Sequence, residues 1–142
     1  MYVKQLTVFI ENRVGSLEEV TEALKDHEIN IFSISLADTS EYGLLRMIVS
    51  NPVQGQKVLQ ENGFSAMLTD VIAVRLENRV GTLDHLFHII SESGIAIEYM
   101  YAMATAKTGA MILKTSDAKK TVETLQDARM MLLDENTMYH LQ

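Results

Sequence analysis

An α+β chain built by writing one small unit twice is predicted by three observations. The octapeptide Ile10-Glu11-Asn12-Arg13-Val14-Gly15-Ser16-Leu17 returns 66 residues later as Leu76-Glu77-Asn78-Arg79-Val80-Gly81-Thr82-Leu83, with six of the eight positions identical. The same ungapped shift carries Ile29 onto Ile95, Ile31 onto Ile97, Gly43 onto Gly109 and Ser50-Asn51 onto Ser116-Asp117, so residues 5–70 reappear as 71–136. Within each copy the apolar period moves from two, as in a half-buried strand, to a helical spacing and back. A repeat of this length is a domain rather than a solenoid unit, whose period is a few tens of residues. Two domains are therefore expected, residues 1–70 and 71–142.

Each copy opens on an alternating run, Leu6, Val8, Ile10 and then Ile72, Val74, Leu76, which predicts a first strand. The octapeptide leaves that strand. Ser16 and Glu19 have capping-box spacing, with Thr82 in the cap position of the second copy. Leu17, Val20 and Leu24, and Leu83, Leu86, Phe87 and Ile90, then give one apolar stripe to each helix, and Gly94 suits a left-handed stop. Residues 30–37 and 96–104 predict a second strand, and residues 43–49 and 109–115 a third, as a hairpin. Asn51 and Asp117 are N-caps for a second helix, with Pro52 at its first position, where a missing amide hydrogen costs nothing. Residues 64–68 and 130–133 supply a short fourth strand. Strand, helix, strand, strand, helix, strand is the ferredoxin-like βαββαβ order, an antiparallel sheet with both helices on one face. Thr137 to Gln142 has no counterpart in the first copy and is assigned no role.

Composition narrows the function. At 142 residues the two domains are each small enough to bury a low fraction of their surface, and are expected to lean on one another as a pseudo-twofold pair contributing eight strands to one sheet. A net charge of −7 with twelve scattered basic residues argues against nucleic acid, which is held by clustered Lys and Arg. No apolar run approaches a membrane span, and no signal-peptide core opens the chain, so a soluble, cytoplasmic protein that binds no membrane is expected. The absence of cysteine removes disulfides, thiolate nucleophiles and Cys-based zinc sites. No cofactor is expected. Asp84, His85 and His88 form the one cluster of interest to a metal, but no third ligand accompanies the two histidines, and Glu19 and Glu22 stand at their positions in the first copy. A solvated polar helix face accounts for them, and no metal is expected. His27 and His140 have no partner arranged as a catalytic triad, and no glycine spacing fits a phosphate loop.

The octapeptide supports two readings. Gly15 and Gly81 can serve only to turn the chain sharply from strand to helix, as glycine does in many folds. Alternatively, a glycine turn that opens a helix offers unpaired amides and the positive end of the dipole to a carboxylate or phosphate. Asn12 and Asn78 add an amide with both donor and acceptor, able to face an α-carboxylate with its nitrogen and an α-ammonium with its oxygen. That combination suits a free amino acid. Arg13 and Arg79 can face an anion or remain solvated loop charges.

Glu-Asn-Arg-Val-Gly-(Ser/Thr)-Leu leaving a strand, an amphipathic helix, and Ile29-Asn30-Ile31 opening the second strand together resemble the ACT domain, a small-molecule-binding regulatory module. The resemblance covers both copies and is nearest to the regulatory domain of phosphoglycerate dehydrogenase, whose loop runs His-x-Asn-(Arg/Lys)-Pro-Gly. Val14 and Val80 replace its proline, and Ile10 and Leu76 replace its histidine, which removes a polar contact to the serine that domain binds.

The resemblance implies side-by-side pairing, an amino acid bound between domains, and transmission of occupancy to a catalytic partner. It also implies that the asparagine loop of one domain is completed by an asparagine at the start of strand two in its neighbour. Asn30 matches that position, whereas the second copy has Ala96. One site would thus join Asn78, Val80, Gly81 and Thr82 to Asn30, while Asn12, Val14, Gly15 and Ser16 would meet only Ala96. The function expected is a non-catalytic regulator that binds a free amino acid between its ACT domains and signals to a separate partner, an enzyme being one candidate. The alternatives are an assembly module without ligand, or an enzyme using His85 and His88. Strand two of the second copy alternates Ile97, Tyr99, Tyr101 and Met103 against Met100, Ala102 and Ala104, apolar on both faces, from which a homodimer is expected.

Overall fold

The computed structural model describes residues 2–38, 41–104 and 109–139, with the side chains of Ala104 and Tyr139 excepted. His140 and the tail beyond Tyr139 lie outside them. The chain divides into two compact units, Lys4–Thr69 and Asp70–Gln142 with Met1–Val3.

In the first unit β1 (Val3–Glu11) leads through the octapeptide to α1 (Ser16–Asp26), then to the hairpin β2 (Ile31–Asp38) and β3 (Tyr42–Val49), then to α2 (Pro52–Glu61). The strand that follows, β4 (Ser65–Leu76), runs from the end of the first copy into the start of the second. Sheet order in the first unit is β2-β3-β1-β4, the antiparallel pairs including Ile10↔Gly43 and Leu36↔Leu45. Leu6, Val8 and Ile10 of β1 pack with Leu45, Met47 and Val49 of β3 beneath Val20, Ala23 and Leu24 of α1 and Val58 and Leu59 of α2. Each such side chain contributes roughly 1.5–3 kcal/mol when fully buried.

The second unit repeats the plan. After β4 come α3 (Thr82–Glu92), β5 (Ile97–Ala104), β6 (Gly109–Thr115), α4 (Ala118–Asp127), β7 (Leu132–Leu133) and α5 (Glu135–Tyr139). β4 lies between β6 and β7, and β5 pairs with β6. Ile72 and Val74 pack with Leu113 beneath Leu86 and Ile90 of α3 and Leu125 of α4. Asn51 and Asp117 cap α2 and α4 as expected, their carboxamide and carboxylate accepting from the Gln54 and Lys120 amides at 3.2 and 3.0 Å.

Four local expectations are corrected, and the tail, to which no role was assigned, is partly helical. The described residues form seven strands rather than eight, because Ser65 to Leu76 contains no glycine or proline to break the strand shared by the two copies. The capping box does not form. Gly15 occupies the cap of α1, Ser16 is its first helical residue, and the Ser16 hydroxyl donates to the Glu11 carbonyl at 2.7 Å, while Glu19 is drawn away by Arg13. Thr82 likewise lies inside α3 behind Gly81 and donates to the carbonyls of Glu77 and Arg79. Leu17 and Leu83, assigned to the apolar stripes, stay 40% and 39% exposed in the first turn of each helix.

In β5 a register shift between Ile97 and Tyr99 puts Ile97 on the helix-covered face, packed with Met100 against the core. Tyr99, Tyr101 and Met103 take the other face. Met103, with its neighbours Ala110 and Ile112, is buried within the single chain, while Tyr99 and Tyr101 are half-buried, so part of that face is covered without a second copy. Finally, part of the tail is ordered: Asp134 accepts from the Thr137 amide at 2.8 Å, a bond that holds its carboxyl below the usual range, and Met138 of α5 is buried.

Candidate functional site

The two octapeptides adopt the same conformation. Gly15 and Gly81 have φ of 89° and 92°, the left-handed region that L side chains rarely enter, and an added Cβ at either would meet no atom within 4 Å. Backbone conformation therefore demands glycine there, not crowding. Arg13 and Arg79 amides donate to the carbonyls of Glu11 and Glu77 at 2.9 and 3.0 Å, and the helices begin at Ser16 and Thr82. First-turn amides of α1 and α3 have no intrahelical acceptor and stand at the positive end of the helix dipole.

Around this frame the predicted residues divide. Asn12 and Asn78 are exposed, and neither side chain makes a hydrogen bond among the described residues, so both amides are available. Val14 and Val80 stand fully in solvent at the tips of the loops. Gly15, Ser16, Gly81 and Thr82 set the turns. Ser16 is buried and its hydroxyl is committed to the backbone, as is that of Thr82. These hydroxyls fix the turn through the backbone.

Beside the first loop the structure holds a cavity of about 190 Å³, lined by Ile10, Asn12, Arg13, Ser16, Leu17, Leu36, Asp38 and Gly43, with Glu11. Typical sites for drug-sized ligands span about 300–1,000 Å³, so this one restricts an occupant to a small metabolite. Gly43 permits it, since a Cβ would lie 3.1 Å from Ile10 Cγ1 and from Leu36 Cδ1. Leu17, Leu36, Asp38 and Gly43 were not among the residues assigned to a ligand from sequence. The register Ile10↔Gly43 was the available signal, for it sets a residue without a side chain across from the strand end that feeds the loop. Asn30 does not join this cavity. It opens β2 at the end opposite Asp38, bordering a shallow depression with Thr21, Lys25 and Glu28. Its backbone amide donates to Ser50 Oγ at 2.9 Å, and that of Ala96 donates to Ser116 Oγ at 3.1 Å, so the two positions share this backbone contact and differ in side chain.

Electrostatics distinguish the copies. Arg13 donates through one terminal nitrogen to Glu19 at 2.8 Å and through Nε to Glu11 at 3.1 Å. The bond to Glu19, then that to Glu11, holds the guanidinium more firmly protonated, and Arg13 in turn keeps the Glu19 carboxyl below its ordinary value. Among the described residues the Arg79 guanidinium donates only to the Glu77 carboxylate, at 2.7 Å, because His85 stands where the first copy has Glu19. His88 Nε2 lies 3.3 Å from Glu92, and among the described residues no group of three or more His, Cys, Asp and Glu side chains is placed to hold a metal ion. No helix among them is long and apolar enough to cross a membrane.

The profile of a protein family described as the ACT domain pair matches residues 1–142. Among solved structures, a Bacteroides thetaiotaomicron protein is similar with a TM-score of 0.92 and 35% identity, over 98% of this chain and 96% of that one. The ligand-free regulatory subunit of aspartate kinase from Thermus thermophilus is similar with a TM-score of 0.63 and 16% identity, over 88% of this chain and 91% of that one. The Thermus flavus regulatory subunit of aspartate kinase gives 0.60 and 20% over the same shares, 88% and 91%. At such identities the two kinase subunits share the fold. Curated protein sequences returned no match. The duplication legible in the octapeptides and the profile that spans both copies lead to one conclusion: this chain belongs to the family of ACT domain pairs.

Proposed function

We propose that the chain is a non-catalytic regulatory protein that binds a free amino acid through its Glu-Asn-Arg-Val-Gly loops and passes the occupied state to a separate enzyme in the cytoplasm. The observation that carries this reading is the repeated loop itself: a left-handed glycine that opens a helix, beside an asparagine whose amide has no partner among the described residues. A carboxylate suits the helix start, and the asparagine can meet both charged groups of a zwitterion. The two Thermus neighbours are regulatory subunits of aspartate kinase, which supports a regulatory role beside an enzyme.

In this reading residues 1–70 and 71–142 are the two halves of one module. Asn30 of the first half completes the loop of Asn78, Val80, Gly81 and Thr82. That pairing rests on the resemblance of the sequence to ACT regulatory domains. Asn12, Val14, Gly15 and Ser16 form the weaker loop, which faces Ala96 in the same scheme. A thermal-shift screen of the twenty common amino acids tests the function. A ligand at a hundredfold its dissociation constant adds about 2.7 kcal/mol of stability, so a true ligand raises the midpoint clearly. No shift with any amino acid would leave the assembly module as the better account.

A further inference from the structure

Residue 19 and its counterpart 85 carry the sharpest chemical difference between two loops that otherwise share backbone and sequence. In the first copy Glu19, on the first turn of α1, holds Arg13 at 2.8 Å, and both side chains are reduced to 49% exposure. In the second copy His85 is there instead. Arg79 keeps Glu77 as its one ion partner among the described residues, and is 71% exposed. Surrounding charge follows the same division. Glu18 and Glu19 occupy the first turn of α1 and Asp38 the rim of its cavity, whereas Asp84 is the one acid in the first turn of α3 and Ala104 stands at the position of Asp38.

We propose that Glu19 is a latch that holds Arg13 against α1 and closes the first loop to anionic groups, while His85 leaves Arg79 bound only through Nε to Glu77 among the described residues, making the second loop the one that accepts the carboxylate of a ligand. This rests on the loop-binding reading above and assigns the working copy by charge, independently of Asn30 and Ala96. An anion approaching the first loop must break a charge-assisted hydrogen bond, the stronger kind, and then meet Glu11, Glu18, Glu19 and Asp38 around a single guanidinium. At the second loop it meets Arg79 with one carboxylate already paired. Because the Arg13–Glu19 pair is solvated, its effect is a bias of a few-fold rather than an absolute bar. Glu19 acts through Arg13 and is a positioning residue.

The latch is read without any ligand by mapping phenylglyoxal modification on the intact protein by mass spectrometry. Arg79 is expected to react about two- to fivefold faster than Arg13, the range an exposed ion pair supports. Glu19→Gln should raise Arg13 to the rate of Arg79, and His85→Glu should slow Arg79. Both positions are exposed, so neither substitution disturbs a core.

Anion acceptance is read by titrating inorganic phosphate at constant ionic strength and following backbone amide resonances. The signals of Gly81 and Thr82 should move, those of Gly15 and Ser16 should not, and Glu19→Gln should bring the Gly15 response out. Equal reactivity of the two arginines, no phosphate response at Gly81, or an equal response at Gly15 overturns the proposal. Glycine, the simplest amino acid, separates this outcome from the function above. Phosphate moving the second loop alone while no amino acid moves either loop would remove the amino-acid reading and leave the latch. Glycine moving both loops equally would remove the latch and keep that reading.

Discussion

Gly15 and Gly81 hold the loops in a conformation that no other residue adopts cheaply. Open space surrounds the position where each Cβ would stand, so Gly15→Ala or Gly81→Ala adds no clash and measures backbone strain alone. A loss of about 1–2 kcal/mol in chemical denaturation is expected for each, the cost of placing an L residue in the left-handed region. A change below a few tenths of a kcal/mol would mean that the loop relaxes to another turn. These glycines were legible in the sequence because only a conformational demand explains a glycine repeated at the same step of two strand-to-helix turns. The role of Ser16 was not. Serine three residues before glutamate satisfies the spacing of a capping box, but a guanidinium at Arg13 offers Glu19 a charged partner, and the stronger bond wins.

Elements repeat more faithfully than their residues. Left-handed positions end both helices of each copy: Glu28 at φ 57° matches Gly94 at 72°, and Gly63 at 86° matches Arg129 at 61°. The fold thus imposes the conformation whichever residue stands there, and the copies with Glu28 and Arg129 bear its strain. Glu28→Gly should therefore stabilise the protein by about 0.5–1 kcal/mol, relief of left-handed strain less the greater freedom glycine gives the unfolded chain, and thermal unfolding would detect it.

The second helices differ in how they approach the sheet. Gly55 of α2 leaves only 3.0 Å between an added Cβ and Leu6 Cδ2, whereas its counterpart Thr121 is buried and bonded to Thr115 Oγ1 at 2.7 Å. Val49 occupies the position of Thr115 in the first copy and offers no such partner. Gly55→Thr should cost about 1–3 kcal/mol by overpacking, although the same residue is native one repeat later; a neutral result would show that α2 can shift outward. Element order and type were readable from periodicity. The bulge in β5 was not, because one inserted residue leaves an apolar stretch apolar and shows itself only when Ile97 and Met100 turn to the same core.

At the scale of the molecule, duplication, element order and loop pattern were enough to read the family from the sequence, and the full-length family match agrees. The cavity beside the first loop was hidden from that reading because β1, α1, β2 and β3 assemble it from residues far apart in sequence. The surface best placed for self-association differs from the one expected. On the second face of β5 Met103 is buried within the chain and Tyr99 and Tyr101 are half-buried, whereas Ile34 and Leu36 on β2, the outer strand of its unit, remain 48% and 49% exposed. An edge strand with exposed aliphatic side chains is a ready template for a second chain. A homodimer is expected in light scattering at micromolar concentration, weakened by Leu36→Lys; a monomer across that range would remove β2 as an interface.

The central claim is that one of the two repeated loops binds an amino acid. Calorimetry with the best amino acid from the thermal-shift screen, on the native chain and on Asn78→Ala and Asn12→Ala, tests it most directly. Losing a hydrogen bond to a charged ligand group costs about 1.5–3 kcal/mol, a fall in affinity of about tenfold or more. The account predicts one dominant site per chain, with that loss in Asn78→Ala and little change in Asn12→Ala. Equal losses in the two variants, or a loss confined to Asn12→Ala, would contradict it.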